Sequence, residues 1–179
     1  FKDSMLLNDN PNILIGVGYS QIDLMNKILF TISSRVKVLL NSQFSSSSNM
    51  SRFDQLNNIE NGVPQFSQWD YGPQIRSLNS LKLSIIKSNT FFDDLTANFS
   101  HQLIEESRIT RNFNSLSQNN RIETVNVFGS HIQFSKSLKT NTTLTYGTEI
   151  YYNNVNSNAF SLNIVDSSLS SLDTRYPDS

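Results

Sequence analysis

Between Gln21 and Ile32 the even positions read Ile22, Leu24, Asn26, Ile28, Phe30, Ile32, and the odd positions read Gln21, Asp23, Met25, Lys27, Leu29, Thr31. A period of two places one greasy row and one mixed row on opposite sides of an extended chain, which predicts a β-strand between two different environments. After the break Ser33-Ser34-Arg35, Val36, Val38, Leu40, Ser42 and Phe44 alternate with Lys37, Leu39, Asn41, Gln43 and Ser45. Folding the two runs about the break pairs Ile32 with Val36, Phe30 with Val38, Ile28 with Leu40 and Leu24 with Phe44. The two polar exceptions, Asn26 and Ser42, then meet each other, as a true cross-strand register favours.

The pattern returns twice. Ile75, Leu81, Leu83 and Ile85 precede a break at residues 87–93, and Leu95, Ala97, Phe99 and Leu103 follow it. Phe128, Ile132 and Phe134 precede a break at 136–141, and Leu144, Tyr146, Ile150 and Tyr152 follow. Val125 and Val127 are out of phase with Phe128, so a bulge near Gly129 or a later strand start is expected. The predicted hairpins cover about 21–45, 75–104 and 121–152, and the predicted long loops cover 46–74, 105–120 and 153–179. Further strand signals lie at 12–20 and 160–165.

Short breaks within hairpins and long ones between them are the habit of transmembrane β-barrels, whose strands alternate apolar-out and polar-in. A soluble sandwich also alternates, but it needs a second sheet to bury the greasy rows, and this chain has little from which to build one. Only 37% of its 179 residues are hydrophobic, below the usual ~45–50% apolar share. The 29 Ser and 23 Asn weigh against a helical bundle. Zero cysteines rule out a disulfide framework, and a net charge of −1 gives no broad footprint for nucleic acid. No apolar run approaches the ~20 residues of a membrane-spanning helix. The chain opens on Phe1 without a signal segment, which leaves open that it is an internal piece of a longer polypeptide.

The first long loop is dense in aromatics and turn formers: Arg52-Phe53-Asp54-Gln55-Leu56, Asn61-Gly62-Val63-Pro64-Gln65-Phe66 and Trp69-Asp70-Tyr71-Gly72-Pro73-Gln74. Preceded by Gln43-Phe44-Ser45-Ser46-Ser47-Ser48 and followed by Leu81-Lys82-Leu83, it resembles the barrel region of TonB-dependent receptors, the active importers of Gram-negative outer membranes. Gly18-Tyr19-Ser20-Gln21 with Asp23, Ile104-Glu105-Glu106-Ser107-Arg108 with Arg111, Phe113 and Asn114, and the run from Ser171 to Pro177 look similar to the same family in the same order. The resemblance implies a fold class of all-β, antiparallel, up-and-down transmembrane barrel, with this chain as a fragment of a ~22-stranded wall. It further implies a plug domain outside this fragment, an indirect link to TonB through that plug, outer-membrane lipid as the solvent, and a scarce siderophore, haem, cobalamin or glycan as cargo. No cofactor, metal or nucleic-acid partner is expected.

Within the loop, Arg52, Phe53, Asp54, Trp69, Tyr71 and Arg76 are the candidate ligand-contacting residues, with Phe66 beside them, because aromatic loop side chains offer flat apolar faces while directing polar groups to water. The competing reading is a loop that packs on itself, with Arg52, Asp54, Asp70 and Arg76 supplying internal ion pairs. Tyr151 and Tyr152 suit an interfacial aromatic girdle. Glu105 and Glu106 adjoin, so a strand sends them to opposite faces and they cannot flank one bond; they read as rim charges for Arg108 or Arg111. His131 shares the polar parity and His101 the apolar one, which disfavours a shared metal site. Gly16-Val17-Gly18 lacks the third glycine of a dinucleotide fingerprint. The triplets at Asn49, Asn98 and Asn141 that match a glycosylation acceptor carry little weight in so Asn- and Ser-rich a chain. No catalytic residues are expected: the reading is barrel wall and outer loops, and the alternative is a secreted or surface β-sheet adhesion module.

Overall fold

A computed structural model describes residues 2–139 and 141–176. Thr140 of the third break, Pro177 of the run that carries the resemblance and residues 178–179 of the last loop lie outside the described residues. In chain order the elements are β1 (Gln21–Thr31), β2 (Val36–Ser47), β3 (Met50–Ser51), α1 (Phe53–Leu56), β4 (Ile59–Glu60), β5 (Val63–Pro64), β6 (Phe66–Tyr71), β7 (Ile75–Ile86), β8 (Asp94–Asn112), β9 (Ser117–Lys139), β10 (Thr142–Asn163) and β11 (Leu169–Ser171). The long strands form one antiparallel sheet in the order β1-β2-β7-β8-β9-β10-β11, with β6 joined to β8 and β3 to β6, while β4 and β5 pair apart.

The first hairpin has the register that its sequence dictates: Leu24 faces Phe44, Asn26 faces Ser42, Ile28 faces Leu40 and Phe30 faces Val38. Carried across the sheet, the pairing builds continuous rows. One runs Ile28, Leu40, Leu81, Phe99, Ser130, Ile150, and the next toward the turns runs Phe30, Val38, Leu83, Ala97, Ile132, Thr148. These side chains share one face of the sheet, and no second layer of described residues covers it. Ile28, Leu40, Leu81, Phe99 and Ile150 are between 40% and 62% exposed, and the buried hydrophobic residues among the described ones are Ala97 and Ala159. The surface is 12254 Å², against about 8,800 Å² for a compact monomer of this mass. The described sheet is also open: β1 is exposed throughout, and β10 has an outer partner only where Phe160–Leu162 meet β11.

Several expected boundaries move. The segment expected as a loop over 105–120 is mostly strand, because β8 runs on to Asn112, β9 begins at Ser117, and only a tight turn with Asn114 at φ 61° separates them. Charged positions on both faces do not prevent pairing, since the ladder is made by the backbone. The segment 46–74 folds in part onto the sheet: Trp69 faces Thr110 and Tyr71 faces Arg108 across β6 and β8. Residues 153–163, expected as loop apart from the strand signal at 160–165, are the continuation and end of β10. No strand forms at 12–20, where Asn8 and Asn10 side chains accept from the backbone N–H groups of Asn10 and Asn12 and compete with any ladder. No bulge occurs at Gly129, which lies in regular register between Ser100 and Tyr151. The Val125 and Val127 parity is therefore real, and both valines lie on the mixed side of the sheet, its inner face, opposite the greasy rows of its outer face.

Candidate functional site

The Arg52 backbone N–H donates to the Trp69 carbonyl at 2.8 Å, which fastens the residue between β3 and α1 to β6. Its guanidinium then sits 5.0 Å from the Trp69 ring centre and 5.3 Å from that of Tyr71, donating to the Tyr71 hydroxyl at 3.0 Å and to Asp54 through Nε at 2.7 Å. The two rings meet edge to face, 4.8 Å apart. Arg108, opposite Tyr71 on β8, brings a second guanidinium to 5.2 and 5.4 Å from the same rings. Two cations over two aromatic rings satisfy the ring quadrupoles internally, so this part of the loop packs on itself. The hydrogen bond and charge of Arg52 hold the Asp54 carboxyl well below the usual carboxylate range, and Asp54 in turn raises Arg52.

Of the six sequence candidates, Arg52, Asp54, Trp69 and Tyr71 form one cluster. Phe53 stands on α1, 38% exposed. Arg76 pairs with Glu106 at 2.8 Å, across from β7 to β8, rather than within the loop. Asp70 does serve the loop, accepting from Ser51 at 2.6 Å and from Gln68 at 2.7 Å. Arg111 pairs with Asp3 instead of a glutamate: both guanidinium ends reach its carboxylate at 2.9 Å, and the Asn114 N–H adds a third bond at 2.7 Å. That bonding lowers the Asp3 carboxyl, Arg111 foremost, and ties the N-terminal segment to the β8–β9 turn.

A charge arrangement on the inner face emerges only from the register. Glu106 lies opposite Glu123, and two residues on, Arg108 lies opposite Arg121. Like signs face across the strands, which is unfavourable by itself, but opposite signs follow along each strand and Arg76 offsets Glu106. Arg175, from the segment after β11, joins Tyr71 and these four around a cavity of about 30 Å³, room for a water molecule. Among the described residues, Arg108 Nε and Glu123 Oε1 are buried without a hydrogen-bond partner. Beside the cavity, Ile104, Val125, Val155 and Tyr176 line a wider open hollow that Glu106 and Glu123 border. The arrangement can hold water or polar ligand groups by charge-assisted bonds.

Arg121, Glu123 and Arg175 were not among the sequence candidates. A signal for the first two exists: Glu106-x-Arg108 and Arg121-x-Glu123 are mirror images about the Asn114 turn, legible once 105–120 is read as strand. Glu105 falls with Thr124 on the outer face, away from Glu106. His101 stacks on Phe128 at 4.6 Å and its Nε2 lies 3.0 Å from Asn126 Oδ1 on the outer face, whereas His131 is on the inner face opposite Glu149. Tyr152 shares the outer row of Phe128, but Tyr151 is an inner residue whose ring covers Gly129 and whose hydroxyl donates to Glu149 at 2.8 Å. Among the described residues no group of three or more His, Asp or Glu gathers as a metal site. Comparison with protein-family models and with curated proteins finds no match to this chain.

Proposed function

We propose that this chain is a stretch of the wall and outer loops of a TonB-dependent outer-membrane importer, bathed by lipid on one face and by an aqueous lumen on the other. The observation that carries the reading is the uncovered apolar face: rows rich in Ile, Leu, Val and Phe cross six strands with no layer of described residues on them. A water-soluble sheet buries such rows, because a few hundred Å² of contiguous apolar surface already marks an interaction site. Lipid supplies the missing layer at no cost in protein core. The opposite face carries Lys37, Asn41, Lys82, Asn98, His131 and Gln133, side chains suited to a wet interior. The family assignment rests on the loop motifs quoted above; the plug, the TonB contact and the cargo belong to it by implication.

In vesicles or detergent the chain should show β-sheet circular dichroism and resist protease, whereas in plain buffer it should aggregate. A monomer that unfolds cooperatively in plain buffer would replace this reading with the adhesion module. The flanking coding sequence separates the importer from other membrane barrels, since it should encode a plug domain.

A further inference from the structure

We infer that the paired charges of the inner face form a binding site for an amphiphilic carboxylate, its anionic head among Arg108, Arg121 and Arg175 and its apolar body in the hollow beside them. As a station for cargo in an importer's mouth the site rests on the wall reading and adds the chemical class that is captured; as a binding site it needs only the inner face. The first observation is unbalanced charge. Among the described residues, ion pairs join Arg52 to Asp54, Arg76 to Glu106, Arg111 to Asp3 and Lys136 to Asp93, and Arg108, Arg121 and Arg175 stand outside all of them. Around the small cavity and its rim, Arg76, Arg108, Arg121 and Arg175 are set against Glu106 and Glu123. Four cations against two anions leave a positive surplus, in a chain whose net charge is −1. Cross-strand neighbours are stabilised by opposite signs. Here Arg108 lies opposite Arg121, and a carboxylate between two guanidinium forks accepts from both and relieves their repulsion.

The second observation is shape. The cavity of about 30 Å³ and the open hollow of about 500 Å³ share Glu106, Glu123 and Arg175 as lining residues, so the two adjoin. The hollow has the size of an ordinary small-molecule site. Along β8, β9 and β10 successive same-face rows read Ile104, Val125, Val155, then Glu106, Glu123, Ser157, then Arg108, Arg121, Ala159. Polarity thus changes in one direction from aliphatic to basic, as it does from the body of an amphiphile to its acidic head. Tyr176 lines the hollow with the aliphatic row and offers a ring to the body. Tyr71 lines the small cavity, and its hydroxyl accepts from Arg52 and keeps its own proton to donate. Arg76 neutralises Glu106, and Glu123, outside the ion pairs above, is left to accept from a hydroxyl or N–H next to the head. A cationic ligand would meet the positive surplus, and a purely apolar one would leave the guanidinium groups without a counter-charge.

The Arg108 guanidinium lies 5.2 Å from the Trp69 ring centre, so Trp69 emission reports on the head site. It is titrated in the full chain in phosphatidylcholine vesicles with three probes: 4-phenylbutyrate, 4-phenylbutylamine, which keeps the body and reverses the head, and butyrate, which keeps the head alone. The site requires saturable binding of 4-phenylbutyrate, binding of butyrate weaker by roughly tenfold or more, and no binding of the amine. Arg121→Gln should weaken 4-phenylbutyrate by roughly tenfold or more, and Arg175→Gln, in the segment after β11, makes the same test if the first variant does not fold. Val155→Asn should weaken 4-phenylbutyrate and leave butyrate unchanged. Equal or tighter binding of the amine, or full affinity in both arginine variants, would overturn the site. A protease-resistant chain in vesicles that does not respond to 4-phenylbutyrate would overturn it while keeping the wall reading. Saturable binding by a folded monomer in plain buffer would keep the site and remove the wall.

Discussion

Trp69 is the chain's only tryptophan, so its fluorescence reports the one cluster in which sequence candidates and structure coincide. Arg52→Ala and Arg108→Ala should each shift its emission to the red. Arg108→Ala, which removes a guanidinium from two rings, should cost about 0.5–2 kcal/mol in denaturant unfolding. Unchanged emission in both variants would mean that the rings do not depend on the cations. A second local device lies at the β7–β8 turn, where Asp93 accepts from the Ser88 hydroxyl at 2.6 Å, from Lys136 at 2.9 Å and from the Ser137 N–H at 2.9 Å. These bonds, Ser88 first, hold its carboxyl down from 3.8 to about 2. Because the folded value is depressed, the stabilisation is present above about pH 4 and is lost as pH falls through about 2. The melting temperatures of the parent and Asp93→Asn should therefore differ at pH 7 and converge toward pH 2. Arg52 and the aromatics were legible because they sit close together in the chain; their second cation, Arg108, is supplied by a strand that sequence distance hides.

The extended β8–β9 hairpin carries two different sequence patterns on one continuous ladder. Its lower half alternates, greasy on one face and polar on the other, and alternation made that half legible. Its upper half keeps the ladder while Glu106, Arg108, Arg121 and Glu123 crowd the inner face, so periodicity fails there as a guide although the backbone continues. Asp3 clamps this half through Arg111. Asp3→Asn should cost about 1–3 kcal/mol, by weakening the hold on a guanidinium only 12% exposed, and should make the N-terminal segment more sensitive to protease. Position along the strand should also grade tolerance to charge. If the greasy face meets lipid as proposed, Phe99→Arg, in a central row of that face, should cost about 2–4 kcal/mol, and Asn158→Arg, beyond Tyr152 on β10, about 0–1 kcal/mol, as measured by unfolding from vesicles. Equal costs would place both positions in the same medium.

The described residues form a sheet whose buried hydrophobic side chains are Ala97 and Ala159, so its stability depends on whatever covers its faces and edges. Unfolding from vesicles should therefore depend on bilayer thickness and weaken in lipids too long or too short for the apolar columns; an unchanged transition would argue against lipid contact. The sequence alone determined the alternating stretches of the six hairpin strands, the first hairpin's register to the residue and the division into greasy and polar faces there, because a period of two is a local property that each strand carries in its own side chains. It also indicated that Glu105 and Glu106 part company, by the same parity. Tertiary structure decided how far β8, β9 and β10 extend, that β6 joins the sheet, and that Glu106 meets Glu123 and Arg108 meets Arg121. Those features depend on register between strands far apart in the chain, and that register is a relation between segments which no single segment encodes.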